Sequence, residues 1–435
     1  MRSPRIRHLS ATLTLFVLVA GTACGGGDAV GDAASVNPTA GDWTQFRGPG
    51  GSGIAESNSL PTTWSADENV LWKTDLPGAG ASSPILIGDR IYLTCYTGYS
   101  ENRGDIAKLT RHLICLNRTD GKIRWTKEVA AKQPEEEKNR EGHGYATSTP
   151  VADADRVYVF FGKSGVLAFD HDGQQLWQTD VGDGTNGWGS AASPILYKNT
   201  VIVNASVESE SMVALDRESG KEIWRARGIK EAWNTPILAQ TANGKTELVV
   251  AIFRKLLGFD PDTGKELWNA DTKIDWYMAP SLIAHDGVVY SVGGRTGGSL
   301  AVRLGGRGNV DETHRVWLGK KGSNVTSPVY HEGHVYWMHE NLGIAYCAEA
   351  VTGKIVYEER VRGAGQVYAS PVLADKKIYY FNRQGTAFVL PAKPEYELLA
   401  TNEVEPRATF NSSPAVADDR LFVRTDKAIY AIGNR

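Results

Sequence analysis

Ala214-Leu215-Asp216-Arg217-Glu218-Ser219-Gly220-Lys221-Glu222-Ile223-Trp224 reads as two short strands around a tight turn. A small residue, an aliphatic one and an acid end the first strand. Gly220 stands where such a turn needs a positive φ, and Asp216 can accept hydrogen bonds from the turn's backbone N–H groups. Trp224 then falls on the second strand, and large aromatics suit a pleated, half-buried surface. The pattern recurs along the chain: Ala168-Phe169-Asp170 precedes Trp177, and Gly258-Phe259-Asp260 with Asp262-Thr263-Gly264-Lys265 precedes Trp268. The aromatic column comprises Trp125, Trp177, Trp224, Trp268 and Trp317, with Tyr357 in the sixth copy. At this spacing it is expected to be buried between neighbouring repeat units. The slot for a small residue holds Ala168, Ala214, Gly258 and Ala301, and also Cys115 and Cys347, so these two cysteines read as packing residues and not as ligands.

Upstream of each such hairpin lies a short element of small or polar residues followed by Pro. It appears as Ser82-Ser83-Pro84, Ser148-Thr149-Pro150, Ala192-Ser193-Pro194, Asn234-Thr235-Pro236, Met278-Ala279-Pro280, Thr326-Ser327-Pro328, Ala369-Ser370-Pro371 and Ser412-Ser413-Pro414. The prolines are spaced by 66, 44, 42, 44, 48, 43 and 43 residues. Eight copies of about 43 residues match a four-stranded propeller blade. The eighth copy stops after a third strand at Ala428 to Gly433, while Asn69 to Leu76 carries Trp72 and looks like the missing fourth strand. The expected fold is therefore all-β: one eight-bladed β-propeller of four-stranded antiparallel blades over residues 42–435, closed by an N-terminal strand and nearly free of helix. Such closure removes an exposed sheet edge. The first copy is longer than the others through two loops, Thr97 to His112 and Glu128 to Ala146. The second loop holds the mixed-charge run Pro134 to Glu141, which reads as a solvated surface.

The composition agrees. The chain has 435 residues, 41% hydrophobic and 22% charged, with 47 Gly, 12 Trp and 17 Tyr but only 4 Met. That balance favours a turn-rich strand protein over a helical bundle. The formal charge of −3 and the lack of a basic stripe argue against nucleic acid as a partner. Residues 1–23 read as an export signal: Arg2, Arg5 and Arg7 precede an apolar run from Leu9 to Ala20, too short to span a bilayer. Gly21-Thr22-Ala23-Cys24 resembles a bacterial lipoprotein site in which Cys24 is lipidated, although Gly21 stands where such signals usually carry Leu. Plain cleavage nearby is the alternative. Residues 24–41 are small and Gly-rich and read as a flexible tether that adds nothing to the core. The expected location is the periplasmic face of a bacterial membrane as a lipoprotein, or the periplasm or medium, with the chain a monomer. A Cys95–Cys115 bridge is open to an exported chain, three buried free thiols being the other reading.

The repeat signature around Trp224 resembles that of pyrroloquinoline quinone (PQQ) enzymes and their non-enzymatic relatives, which include the outer-membrane assembly lipoprotein BamB. Trp43-Thr44-Gln45-Phe46-Arg47-Gly48-Pro49 looks like the opening of exported bacterial propellers of this kind. The resemblance spans residues 43–433 and implies the fold more strongly than any activity. Its enzyme branch implies PQQ with Ca²⁺, a general-base Asp and often an adjacent Cys–Cys disulfide; no adjacent Cys pair or Cys-x-x-Cys-His haem motif occurs here. The favoured expectation is a non-enzymatic scaffold that binds an envelope protein or an extended peptide and carries no cofactor. A PQQ-dependent dehydrogenase of alcohols or sugars is the alternative.

In a propeller the residues just before each Pro element ring one mouth of the central channel. They are aromatic here: Tyr145, Trp188, Trp233, Trp276, Tyr277, Tyr368 and Phe410. Loops on the same face carry Lys163, Arg254, Arg295, Arg383 and Arg424. Aromatics and cations at one mouth would suit a flat anion, a sugar or an extended peptide; equally, the aromatics could wedge loops together. His331, His334 and His339 cannot share one ion, because His339 lies toward the far end of its strand, about 16 Å away.

Overall fold

Each outer aromatic faces the small residue of its own hairpin, and this pairing sets the register of the sheets. Trp125 is opposite Cys115, Trp177 opposite Ala168, Trp224 opposite Ala214, Trp268 opposite Gly258, Trp317 opposite Ala301 and Tyr357 opposite Cys347. In all six hairpins the register slips by a bulge directly after the pair, which increases local twist. The structure is a computed structural model that describes Val36, Thr39 and residues 41–57, 59–100, 103–138, 144–405 and 408–434. The expected export signal, its Cys24 and most of the tether lie outside those residues. The propeller reaches back into the tether, however: Val36 is buried against blades 1 and 2 and its N–H donates to Ala154 O, so this part of the tether does join the core.

Eight four-stranded antiparallel blades follow in order: residues 85–130, 151–179, 195–227, 237–271, 283–319, 329–360, 372–403, and 415–433 completed by Val70–Asp75. The closing strand pairs antiparallel with Ala428–Gly433 and places Trp72 opposite Ala431. Among the described residues the only α-helix is one turn, Ser206–Ser209. Blade 4 gains a short fifth strand, Gly308–Asn309, lent by the third-to-fourth strand loop of blade 5.

At five seams the turn of the hairpin docks on the Trp of the blade before it. The Trp125, Trp177, Trp224 and Trp317 indole N–H groups donate to His171 O, Arg217 O, Pro261 O and Ala350 O in the next blade's turn. The turn glycine lies against the same ring. A Cβ on Gly220, whose φ is +70°, would come within 2.7 Å of Trp177. Trp268 departs from this pattern because blade 5 has an insertion where its turn should be. Trp268 instead donates to the buried Glu247, and its ring fills the space above Gly258 where a Cβ would stand.

A second ring closes nearer the axis. One backbone N–H per blade donates to the hydroxyl of the next: Ser83 to Thr149, Thr149 to Ser193, Ser193 to Thr235 and Thr235 to Ser281. The series continues from Ser281 to Ser327, Ser327 to Ser370, Ser370 to Ser413 and Ser413 back to Ser83, at 2.9–3.1 Å throughout. Seven of these hydroxyls directly precede the repeat's proline. In blade 5 it is Ser281, after Pro280, so the Pro spacing misplaces that blade by two residues.

The cysteines follow the free-thiol reading, and the charged run departs from expectation. Cys95 faces His112 and Cys115 faces Tyr92, so the two thiols are offset along the sheet, and both are free and buried, as is Cys347. Burial pushes Cys95 up to about 11 and Cys115 and Cys347 up to about 12. The run from Pro134 is not wholly solvated: Glu135 packs beneath the surface, 2.6 Å from Arg111.

Candidate functional site

The channel is a well with a closed floor. Chain from Trp43 to Trp64 crosses the face opposite the mouth, bridging to Leu86 in blade 1 and Leu373 in blade 7. Gly48 has a φ of +66° and carries the Trp43 ring where a Cβ would be, which turns the chain inward. Arg47 is buried and donates to the carbonyls of Ser52 and Pro328; burial lowers its guanidinium to about 9. Between these anchors Phe46 lines both the well and a smaller hollow on the opposite face, so it partitions the channel.

The well encloses about 360 Å³ and its wall is two-sided. Trp188, Trp233, Trp276 and Tyr277, which precede blades 3, 4 and 5, form an aromatic arc. Tyr277 is its centre, with ring centroids 5.8, 5.2 and 5.3 Å from Trp188, Trp233 and Trp276. These separations are those of favourable aromatic pairs. Trp233 is braced by its indole N–H to Gly189 O.

The opposite arc is made of amides. Arg383 Nη1 donates to Gln366 Oε1 at 3.2 Å, Gln366 Nε2 to Asn341 Oδ1 at 3.1 Å and Asn341 Nδ2 to Glu340 Oε1 at 2.9 Å. Glu340 Oε2 accepts from the Asn324 N–H at 2.8 Å and Ser323 Oγ at 3.2 Å, and Asn324 Nδ2 donates to the Tyr277 hydroxyl at 3.1 Å. The chain thus ties the rim of blade 7 to the aromatic centre. One buried polar atom on each wall has no partner among the described residues: Asn324 Oδ1 and Trp276 Nε1.

Of the residues singled out from sequence, Trp188, Trp233, Trp276, Tyr277, Tyr368 and Arg295 line the well. Arg295 lies over the Trp276 ring at 5.4 Å. Arg383 covers Tyr368 at 4.5 Å from the rim. The others are elsewhere. Tyr145 is buried in an edge-on contact with Tyr96, because the long loops of blade 1 fold over it. Phe410 is buried and stacks on Phe381 between blades 7 and 8. Lys163 is buried and donates to Pro134 O, Arg254 pairs with Asp275 at the surface, and Arg424 is enclosed, donating to Ser82. Burial lowers Arg424 to about 10. Asn324, Glu340, Asn341, Gln366 and Phe46 escape the sequence reading, which rests on aromatics and cations; Glu340 stands second after its strand, as Arg383 does.

PQQ and Ca²⁺ fit this lining poorly. A tricarboxylate quinone needs several cations and its metal needs free carboxylate or amide oxygens. Arg295 and Glu340 are the only charged side chains lining the well among the described residues, and both Glu340 oxygens already accept protein donors. Among the described residues no three His, Cys, Asp or Glu side chains gather as a metal site.

Comparison with known proteins agrees with the architecture. The chain is similar to a tetrathionate hydrolase of Acidithiobacillus ferrooxidans, 21% identical over 357 residues that make up 74% of this chain and 67% of the relative. Its fold is similar to that of BamB from Moraxella catarrhalis, with a TM-score of 0.58, 14% identity and coverage of 83% of this chain and 98% of that one. It is also similar to a europium-containing methanol dehydrogenase, with a TM-score of 0.65, 12% identity and coverage of 88% and 89%. The sequence profile of the outer membrane protein assembly factor BamB family matches residues 65–227 and 208–317, more than half of the chain, and the protein belongs to that family of PQQ-like propellers.

Proposed function

We propose that this chain is an exported, non-enzymatic binding propeller of the bacterial envelope that receives its ligand or partner at the mouth of the closed well. The lining of the well carries the reading: aromatic rings face amides, and the one carboxylate among the described lining residues is engaged by three protein donors, so it is not free to act as a general base. Family membership and the BamB-like fold support a protein partner in envelope assembly. Cys24 is the proposed lipid attachment, which would hold the disc at a membrane surface.

Pull-down from envelope extracts tests the reading. Wild-type protein should capture a partner that the Trp276→Ala variant loses. Purified apoprotein given PQQ and Ca²⁺ should show no dye reduction with alcohols or sugars. Robust turnover would overturn the proposal in favour of the dehydrogenase branch. For the anchor, wild-type protein should sediment with membranes and be released by detergent, whereas Cys24→Ser should leave an uncleaved or soluble, folded propeller.

A further inference from the structure

We infer that the well binds a neutral carbohydrate, one or two pyranose rings of a glycan; this rests on the well being a binding site. A pyranose has two kinds of surface, C–H faces that are apolar and a rim of hydroxyls that both donate and accept. The two walls match these. Trp188, Trp233, Trp276 and Tyr277 offer flat, rigid surface for the faces, at little cost in side-chain entropy. Across from them, side-chain amides supply donor and acceptor on one group. Asn324, Asn341 and Gln366 line that wall, and each amide carries both kinds of group.

Charge and shape narrow the class. Among the described residues Arg295 is the single cation lining the well and Glu340 the single anion, the latter already paired with donors. A polyanion would be buried without countercharge, and so would a polycation. A peptide would need a row of backbone partners. The inner N–H groups, from Ser83 round to Ser413, are instead spent on the hydroxyl ring. The floor at Phe46 and a volume of about 360 Å³, small for a ligand site, admit a ring or two and no folded element.

The test is tryptophan fluorescence and calorimetric titration of the purified full chain. The probes are neutral tetrasaccharides of glucose and of N-acetylglucosamine, a uronate tetrasaccharide, and extended and proline-rich peptides. At least one neutral saccharide should shift the emission saturably, and the uronate should bind about tenfold more weakly. Trp276→Ala should lower saccharide affinity about tenfold or more, and Trp276→Phe should recover part of it, with the circular dichroism of both variants unchanged. A response to peptide and none to any saccharide would overturn the carbohydrate assignment and leave the binding well standing. No response to either class, with a protein partner still captured by the Trp276→Ala variant, would overturn both.

Discussion

Glu208 lies on the single helical turn, enclosed, with Ser190 Oγ donating to its carboxylate. Burial pushes it up to about 7, against the hydrogen bond from Ser190, which lowers it. Between the ordinary glutamate value and about 7 the native state therefore holds a proton that the unfolded chain has released. By linkage, stability is full below that window and falls as pH rises through it. Glu208→Gln keeps the shape and removes the charge. It should be close to neutral at pH 5 and stabilising at pH 8 by on the order of 2 kcal/mol, read from urea midpoints at the two pH values. A variant equally destabilised at both would contradict this account. Nothing in the sequence marks Glu208: Glu208 and Glu210 alternate with serines as a solvated loop would, and the neighbouring blade's loop, through Gly162 and Ser190, encloses only the first.

Among the elements, the hairpin turn is the joint between blades. Gly220 and Gly244 both have positive φ, +70° and +79°, but only Gly220 has an indole where its Cβ would be; Gly244 has open space. Gly244→Ala should cost roughly 1–2 kcal/mol from backbone strain alone. Gly220→Ala should cost about 2 kcal/mol beyond that, because Trp177 cannot retreat without losing its bond to Arg217 O. Thermal melts of the pair measure the difference, and equal losses would mean the docking contributes nothing. The hairpins were the legible part of the chain, since turn chemistry, a small residue and a Trp recur at fixed offsets. Legibility fails where the repeat is interrupted. The insertion after Arg303 removes the acceptor for Trp268, and the ring turns to Glu247, which no repeat position predicts.

For the whole molecule, the hydroxyl ring is the shared fastening. Ser370→Ala removes the acceptor for the buried Ser327 N–H and should cost about 1–3 kcal/mol, while Ser370→Thr, which keeps a hydroxyl as Thr149 and Thr235 do, should cost less. Denaturant titration of both variants checks this, and indistinguishable losses would refute it. The eight-bladed disc was readable because one pattern is repeated eight times. The site was read only in half. Aromatic residues before each proline are visible as a column, but whether a ring reaches the axis depends on the loops beside it. In blade 1 those loops bury Tyr145, and Phe410 is drawn into the seam with Phe381. The amides from Asn324 to Gln366 occupy no common repeat position, so only the folded arrangement joins them.

The docking joint has a consequence for how the disc is made. Trp72 belongs to blade 8 by pairing, yet its ring lies against Gly121, and Thr74 Oγ1 donates to Gly121 O, both contacts with the turn of blade 1. A chain emerging from its N-terminus can therefore seat this strand as soon as blade 1 has formed, long before Ala428 to Gly433 exist. The last blade then meets a partner already held in place and in register. The search that would otherwise close so long a loop is replaced by a local step taken early, and the entropy of closure is spread over seven successive additions instead of falling on the final one.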